Sequence, residues 1–166
     1  MKLPRFEDFE RDFKSEIWLD AAKIIGEKHK IPFSRLKRAE QGDHIIFLFD
    51  ENFVVKIYVP NGNGFLREKI ALETARTSLK IPEIVAFGEI ENYKYLITTQ
   101  IRGELMTREN WLKLEFSEQT QILSQIAGGL KELHQSDSST IYFDWGKFIQ
   151  IQAENCFERQ KACQVN

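Results

Sequence analysis

Residues 53–79 read FVVKIYVPNGNGFLREKIALETARTSL and join a predicted strand to a predicted helix across a loop rich in proline and glycine. The strand part is dense in β-branched and aromatic residues, as strands are. The break at 60–64 ends the strand, and apolar residues then recur at helical spacing. The stretch therefore places a lysine, Lys56, on a strand and a glutamate, Glu68, early on the following helix.

Four more β-like stretches lie on either side of this unit, and short polar segments of hairpin length separate the neighbours in each group. The five predicted strands are residues 33–40, 44–50, 53–59, 84–90 and 95–101. Hairpin connections join antiparallel strands. The order of elements therefore predicts a five-stranded antiparallel sheet with one helix inserted between its third and fourth strands.

Helices are predicted on both sides of the sheet. Before it, apolar residues recur every three or four positions as far as Gly26, and they are Phe6, Phe9, Phe13, Ile17, Ala21, Ile24 and Ile25. After Gly103, an N-cap at Ser117 predicts a helix over 117–134, and a last helix is predicted over 144–163. The fold class is therefore α+β.

Composition excludes several classes of function. The chain has 166 residues, which suits one ordinary domain, and its 23 Lys+Arg nearly balance its 25 Asp+Glu. We therefore expect no nucleic-acid partner. No apolar run reaches the ~18 residues that a membrane span needs, and the N-terminus is charged where a signal peptide would be apolar. We expect a cytoplasmic protein without a membrane partner.

The predicted sheet with its single inserted helix is the layout of a protein-kinase-like N-terminal lobe. Motifs over residues 36–105 resemble, in the same order, those of the aminoglycoside phosphotransferase and choline-kinase-like family of ATP-dependent small-molecule kinases. The matching pieces are QGDH at 41–44, VVKIY at 54–58, REK at 67–69, IPEIVAFGEI at 81–90 and YLITTQIRGEL at 95–105. GLKELH at 129–134 and FDW at 143–145 are also similar to that family.

This resemblance implies three parts. Residues 1–32 form an N-terminal helix, 33–102 form a kinase-like N-lobe whose helix corresponds to the kinase αC helix, and 103–166 form the first helices of an incomplete, truncated C-lobe. Lys56 would contact the α and β phosphates of ATP, and Glu68 would pair with Lys56.

Further site residues follow from the same resemblance. Val54 shares a strand face with Lys56 and would form an apolar roof over adenine. The Thr99 carbonyl and the Ile101 amide, at the hinge between lobes, would bind the edge of the base. Gly42 would let its loop approach the phosphates closely.

Most of these residues also have a structural interpretation. A lysine in an apolar strand often guards a sheet edge, Glu68 taken alone is typical of a solvated helix residue, and Gly42 equally suits a plain turn. Glu73, farther along the helix, is a rival partner for Lys56. The combined order of elements favours a nucleotide site built on Lys56 and Glu68.

The catalytic loop of kinases, H-x-D-x-x-x-x-N, and the metal-binding aspartate after it have no good match. His134-Gln135-Ser136-Asp137 has one residue too many between histidine and aspartate, and Asp144 follows Asp137 by only 144 − 137 = 7 residues. We therefore assign no catalytic and no metal-binding residue. Magnesium is expected with ATP only in a complete enzyme.

Three functions remain open. The chain is the N-terminal part of an ATP-dependent phosphotransferase whose small-molecule acceptor the sequence does not reveal, a non-catalytic nucleotide-binding module, or a protein-interaction module. The resemblance implies that, in a complete enzyme, later helices would cover an apolar stripe that comprises Ile122, Ile126, Leu130 and Leu133. We expect self-association through this stripe, or coverage of it by the last helix.

Overall fold

The computed structural model describes residues 2–39, 42–59, 63–75, 77–103 and 106–136, and the separate residues 146, 149, 150, 153 and 156. The strands are β1 (Leu36–Arg38), β2 (Ile45–Phe49), β3 (Phe53–Ile57), β4 (Ile84–Ile90) and β5 (Tyr93–Thr99). The helices are α1 (Ile17–Lys28), α2 (Gly64–Thr74), α3 (Arg108–Lys113) and α4 (Phe116–His134), and a short 3-10 helix, Phe6–Asp8, precedes α1.

The strands form one five-stranded sheet in the order β1-β2-β3-β5-β4, and every neighbouring pair is antiparallel. The chain leaves β3 through α2, enters the sheet again at its edge as β4, and returns to the centre as β5. The predicted α+β class and the predicted antiparallel sheet with one inserted helix are therefore confirmed.

One face of the sheet carries the core. Side chains alternate along a strand, so Val55 and Ile57 of β3 share this face, and both are fully buried. α1 contributes the buried Trp18, whose indole N–H donates to the Asp12 carbonyl at 2.9 Å. The Trp18 and Tyr93 rings meet edge to face, with 5.0 Å between their centroids. The opposite face of β3 is left for Lys56.

The N-terminal segment is not the single helix that its apolar spacing predicts. A 3-10 helix and turns come first, α1 begins only at Ile17, and it continues past Gly26 to Lys28. Phe9 is nevertheless 4% exposed, whereas Ile24 is 42% exposed. The prediction was wrong because large aromatic side chains reach the core from irregular backbone as well as from one helix face.

Two further boundaries differ from prediction. β5 begins at Tyr93 instead of residue 95, because Glu91, at φ 51°, and Asn92 make a tight turn after β4. α2 ends at Thr74 instead of Leu79. The chain then contacts α4, since the Ser78 N–H donates to the Glu132 carboxylate.

α4 is capped by Glu115 and not by Ser117. The N–H of Glu115 donates to the Glu118 carboxylate at 2.8 Å, and the Glu115 side chain accepts in return, which makes a reciprocal capping box. The apolar stripe is only partly covered: Ile122 and Leu133 are half-buried, while Ile126 is 47% and Leu130 48% exposed.

Some predictions concern residues that the structure does not describe, and another is not tested by it. Asp137, Asp144 and, apart from the separate residues named above, the predicted last helix over 144–163 lie outside the described residues. The division into 1–32, 33–102 and 103–166 stays a prediction.

Candidate functional site

Lys56 lies in the middle of the sheet. Its cross-strand neighbours are Ile46 on β2 and Leu96 on β5, so β3 is an interior strand and Lys56 does not guard an edge. The side chain projects from the face opposite the core, because Val55 and Ile57 on either side of it are core residues. Only 22% of the Lys56 side chain is exposed. A largely buried ammonium needs an anionic partner.

Glu68 on α2 is that partner. Its Oε2 lies 2.5 Å from Nζ of Lys56. The rival Glu73 instead pairs with Lys69, four residues earlier on the same helix, at 2.6 Å. The structure therefore brings Lys56 and Glu68 together in an ion pair that joins the sheet to α2.

An apolar strip adjoins this ion pair on the same face of the sheet. Val54 is half-buried and lies opposite Thr98 of β5, which is 8% exposed. Leu96, opposite Lys56, is 1% exposed. The strip therefore runs from Val54 and Leu96 to the ion pair between Lys56 and Glu68.

The strip ends at the segment after β5. The Thr99 N–H donates to the Glu83 carbonyl at 2.9 Å, and the Thr99 hydroxyl accepts from the Glu83 N–H at 2.9 Å. The Gln100 N–H donates to the Asn52 carbonyl at 2.8 Å. Ile101 is 37% exposed, and its amide donates to no other residue in the described ranges. Hydrogen bonds thus fix the backbone on the N-terminal side of Ile101, whereas no described residue accepts from its amide.

Gly42 is not in contact with the ion pair. Its φ of +133° is a conformation that other residues rarely adopt, so the turn itself requires glycine. Gly42 lies near the Ile46 side chain, and with Val59 and N-terminal residues it lines a cavity of about 490 Å³. Neither member of the ion pair lines that cavity. The geometry favours the turn interpretation, and a phosphate role for Gly42 stays a prediction.

Sequence patterns do not single out two residues that lie beside the ion pair, Tyr58 and His44. Tyr58 is 2% exposed, and its ring centroid lies 5.2 Å from Nζ of Lys56. The His44 ring is 4.9 Å from the Tyr58 ring, and Nδ1 of His44 accepts from the Val59 N–H at 3.2 Å. The sequence does offer one indication of Tyr58: it follows Val54 and Lys56 at every second position of the predicted strand, which places all three side chains on one face.

The ion pair changes the electrostatics of both neighbours. Burial, followed by the positive charge of Lys56, lowers the pKa of His44, and the charge of Glu68 opposes this shift. Burial, followed by the charge of Glu68, raises the pKa of Tyr58. At neutral pH His44 is therefore mostly neutral and Tyr58 keeps its proton.

Several solved structures resemble this one over most of its length. The ternary complex of streptomycin, ATP and APH(2'')-IIa matches with a TM-score of 0.61 at 25% sequence identity, covering 87% of this chain and 52% of that chain. The ADP-bound aminoglycoside phosphotransferase APH(2'')-Ib matches with a TM-score of 0.60 at 24% identity, covering 89% and 52%. The apo form of a thermostable mutant of aminoglycoside phosphotransferase APH(4)-Ia matches with a TM-score of 0.58 at 19% identity, covering 84% and 52%.

The chain has the kinase-like fold of the aminoglycoside phosphotransferases. The resemblance that the sequence motifs indicate is thereby confirmed. The chain spans about half the length of the matched phosphotransferase structures, 52% in each case. No protein-family model and no curated protein matches the sequence. The similarity to these phosphotransferases is therefore a similarity of backbone fold.

No group of three or more histidine, cysteine, aspartate and glutamate side chains that could hold a metal ion is present among the described residues. In the same part of the chain, no helix has the length and apolar character required to cross a bilayer. None of the described residues is assigned as a metal ligand.

Proposed function

We propose that this chain is the nucleotide-binding part of an ATP-dependent phosphotransferase that acts on a small molecule. Lys56 binds the α and β phosphates of ATP, and Glu68 keeps Lys56 oriented. Val54 forms the apolar roof over adenine, while the Thr99 carbonyl and the Ile101 amide bind the edge of the base.

The ion pair between Lys56 and Glu68 is the observation that carries this proposal. An ammonium on an interior strand neutralises phosphate charge without moving. Here the ammonium is held at 2.5 Å from the carboxylate, yet 22% of the lysine side chain stays exposed to a ligand. The free amide of Ile101 and the apolar strip beside Lys56 add the contacts that a purine base requires.

The acceptor side of the proposal rests on the likeness of fold. One matched complex contains both ATP and streptomycin, so we take the acceptor to be a small hydroxylated molecule that receives the γ-phosphoryl group on a hydroxyl. No described residue is assigned to the acceptor or to the transfer step, and magnesium enters only as the counter-ion of ATP. Because ATP is the donor, we place the protein in the cytoplasm.

Thermal unfolding with and without MgATP tests the nucleotide site. A ligand at 100 times its Kd stabilises the fold by ~2.7 kcal/mol, which raises the Tm of a chain of this size by roughly 5 to 11 °C. We expect this rise for the wild type and its loss in Lys56→Met, because the phosphates lose their cation.

The matched control is Lys23→Met. Lys23 forms an exposed pair with Asp20 on α1 at 3.2 Å, so this variant loses the same charge far from the proposed site and should keep the full rise. No rise for the wild type, or the same rise for both variants, would reject the proposal.

The response to MgATP separates the protein-interaction module from the two nucleotide-binding functions, and a phosphorylation assay addresses those two. A protein-interaction module shows no response to MgATP. A non-catalytic nucleotide-binding module responds to MgATP but phosphorylates no aminoglycoside. Because the sequence holds no H-x-D-x-x-x-x-N stretch, we expect no phosphoryl transfer by this chain.

A further inference from the structure

The hydroxyl group of Tyr58 is buried without a partner. Tyr58 is 2% exposed, and its hydroxyl has no hydrogen-bond partner in the part of the chain that the structure describes. Burying an unpaired donor is costly, so each such group in a native protein requires an explanation. The ring is packed between His44 and Phe65, with centroid distances of 4.9 Å and 5.4 Å. It therefore cannot swing the hydroxyl out to solvent.

Glu68 is the acceptor that lies near this hydroxyl. Nζ of Lys56 is 2.5 Å from Oε2 of Glu68 and 5.2 Å from the centroid of the Tyr58 ring. Both side chains thus contact the same ammonium, and the charge of Glu68, after burial, raises the pKa of Tyr58. Lys56 occupies Oε2, whereas Oε1 accepts no hydrogen bond from another described residue.

We propose that Tyr58 is a positioning residue for the nucleotide site, and that its hydroxyl donates to Oε1 of Glu68 while Lys56 holds Oε2. The last torsion of a glutamate side chain is broad, so a small rotation of the carboxylate is enough to form this bond. Glu68 is then fixed by two donors, the charged Lys56 on β3 and the neutral Tyr58 directly after β3.

The positioning role rests on the proposed function, in which Lys56 binds a phosphate. A phosphate oxygen competes with Glu68 for the ammonium, and a carboxylate held only by that ammonium is then free to rotate. With Tyr58 as a second donor, Glu68 keeps its place and Lys56 stays directed toward the phosphate.

Urea unfolding of the apo protein tests the contact without any nucleotide. Tyr58→Phe keeps the ring and removes the hydroxyl. Loss of an unpaired buried hydroxyl leaves stability unchanged or raises it, whereas loss of a donor to a carboxylate lowers the folding equilibrium constant roughly tenfold. We expect the loss, and we expect it to vanish in a Glu68→Leu background, which has no acceptor. Unchanged or raised stability, or an equal loss in both backgrounds, overturns the proposal.

Binding of MgATP by isothermal titration calorimetry tests the positioning role. Tyr58→Phe should bind MgATP several-fold more weakly than the wild type. The control Tyr95→Phe removes another buried hydroxyl, which lies 2.8 Å from Nε2 of His29, and it should lower stability without changing the affinity. Equal affinities of the wild type and Tyr58→Phe overturn the positioning role. A wild type that does not bind rejects the proposed function instead, and the unfolding experiment still decides whether Tyr58 holds Glu68.

Discussion

At the scale of single residues, His44 is expected to make the stability of the fold depend on pH. Its Nδ1 accepts from the Val59 N–H at 3.2 Å, which only the neutral ring can do. Burial and the charge of Lys56 lower its pKa in the folded protein. Between that value and the ~6.5 of an unfolded chain, the unfolded state binds more protons. Stability is therefore complete above about pH 6.5 and falls as the pH drops toward the folded pKa.

Urea unfolding between about pH 7.5 and pH 5, which brackets the titration of histidine, measures this dependence. His29 acts in the same sense, because burial and Lys28 lower its pKa, so a variant has to isolate His44. His44→Gln keeps an acceptor and removes the titration. Its stability should fall less steeply than that of the wild type, by at most ~1.4 kcal/mol per pH unit and by less where solvent screens the ring. Parallel curves would show that His44 does not contribute.

The sequence predicts part of this site and not the rest, for a physical reason. The pairing of Lys56 with Glu68 can be predicted from the sequence, because a strand, a short loop and the start of a helix restrict which side chains meet. His44 and Tyr58 meet through the register between β2 and β3. Their contact also lies against Gly64, where an added Cβ would lie 3.4 Å from the His44 ring. Neither condition is visible in a local pattern.

At the scale of elements, two adjacent glycines test how α4 packs on the segment after α2. A Cβ at Gly129 would lie 2.1 Å from Cδ1 and 2.2 Å from Cγ of Leu79. Gly129→Ala therefore forces the helix or the leucine to move, and we expect a loss of about 1 to 3 kcal/mol. A Cβ at Gly128 meets nothing within 4 Å, so Gly128→Ala should stabilise by about 0.5 to 1 kcal/mol.

Chemical denaturation measures the free energy of unfolding of both variants, and each variant serves as the control for the other. Both substitutions remove the same backbone freedom from the same helix. If both stabilise the protein, α4 is not docked on Leu79 in solution.

The types of the five strands and of α2 and α4 follow from local patterns, whereas element ends depend on contacts between elements. β4 has its predicted bounds, because both of its ends are marked by turn residues in the sequence. α2 stops before Leu79 because the chain leaves the helix to bind α4: the Thr77 hydroxyl donates to the Gly129 carbonyl at 3.4 Å, and the Ser78 N–H donates to Glu132. Helical periodicity continues through this segment, so no reading of the period alone can place the true end.

At the scale of the whole molecule, α4 leaves an apolar surface open. The exposed fractions are 82% for Phe116, 55% for Leu123, 47% for Ile126 and 48% for Leu130. The last three share one face of the helix, because they are three and four residues apart. Each large aliphatic side chain left uncovered forgoes roughly 1.5 to 3 kcal/mol of burial, and contiguous patches of this kind mark interaction surfaces. We therefore expect the 166-residue chain to self-associate through α4.

Sedimentation velocity over a series of protein concentrations measures this association. The wild type should shift from monomer to larger species as concentration rises, and a double variant, Ile126→Gln with Leu130→Gln, should remain monomeric. A control with Gln121→Ser and Ser124→Gln exchanges polar groups on the opposite side of α4 and should associate like the wild type. A wild type that stays monomeric throughout, or equal association of both double variants, would rule out the α4 surface. Both double variants substitute two residues of α4, but only one of them changes the apolar face. A difference in association between them therefore reports the apolar character of that face.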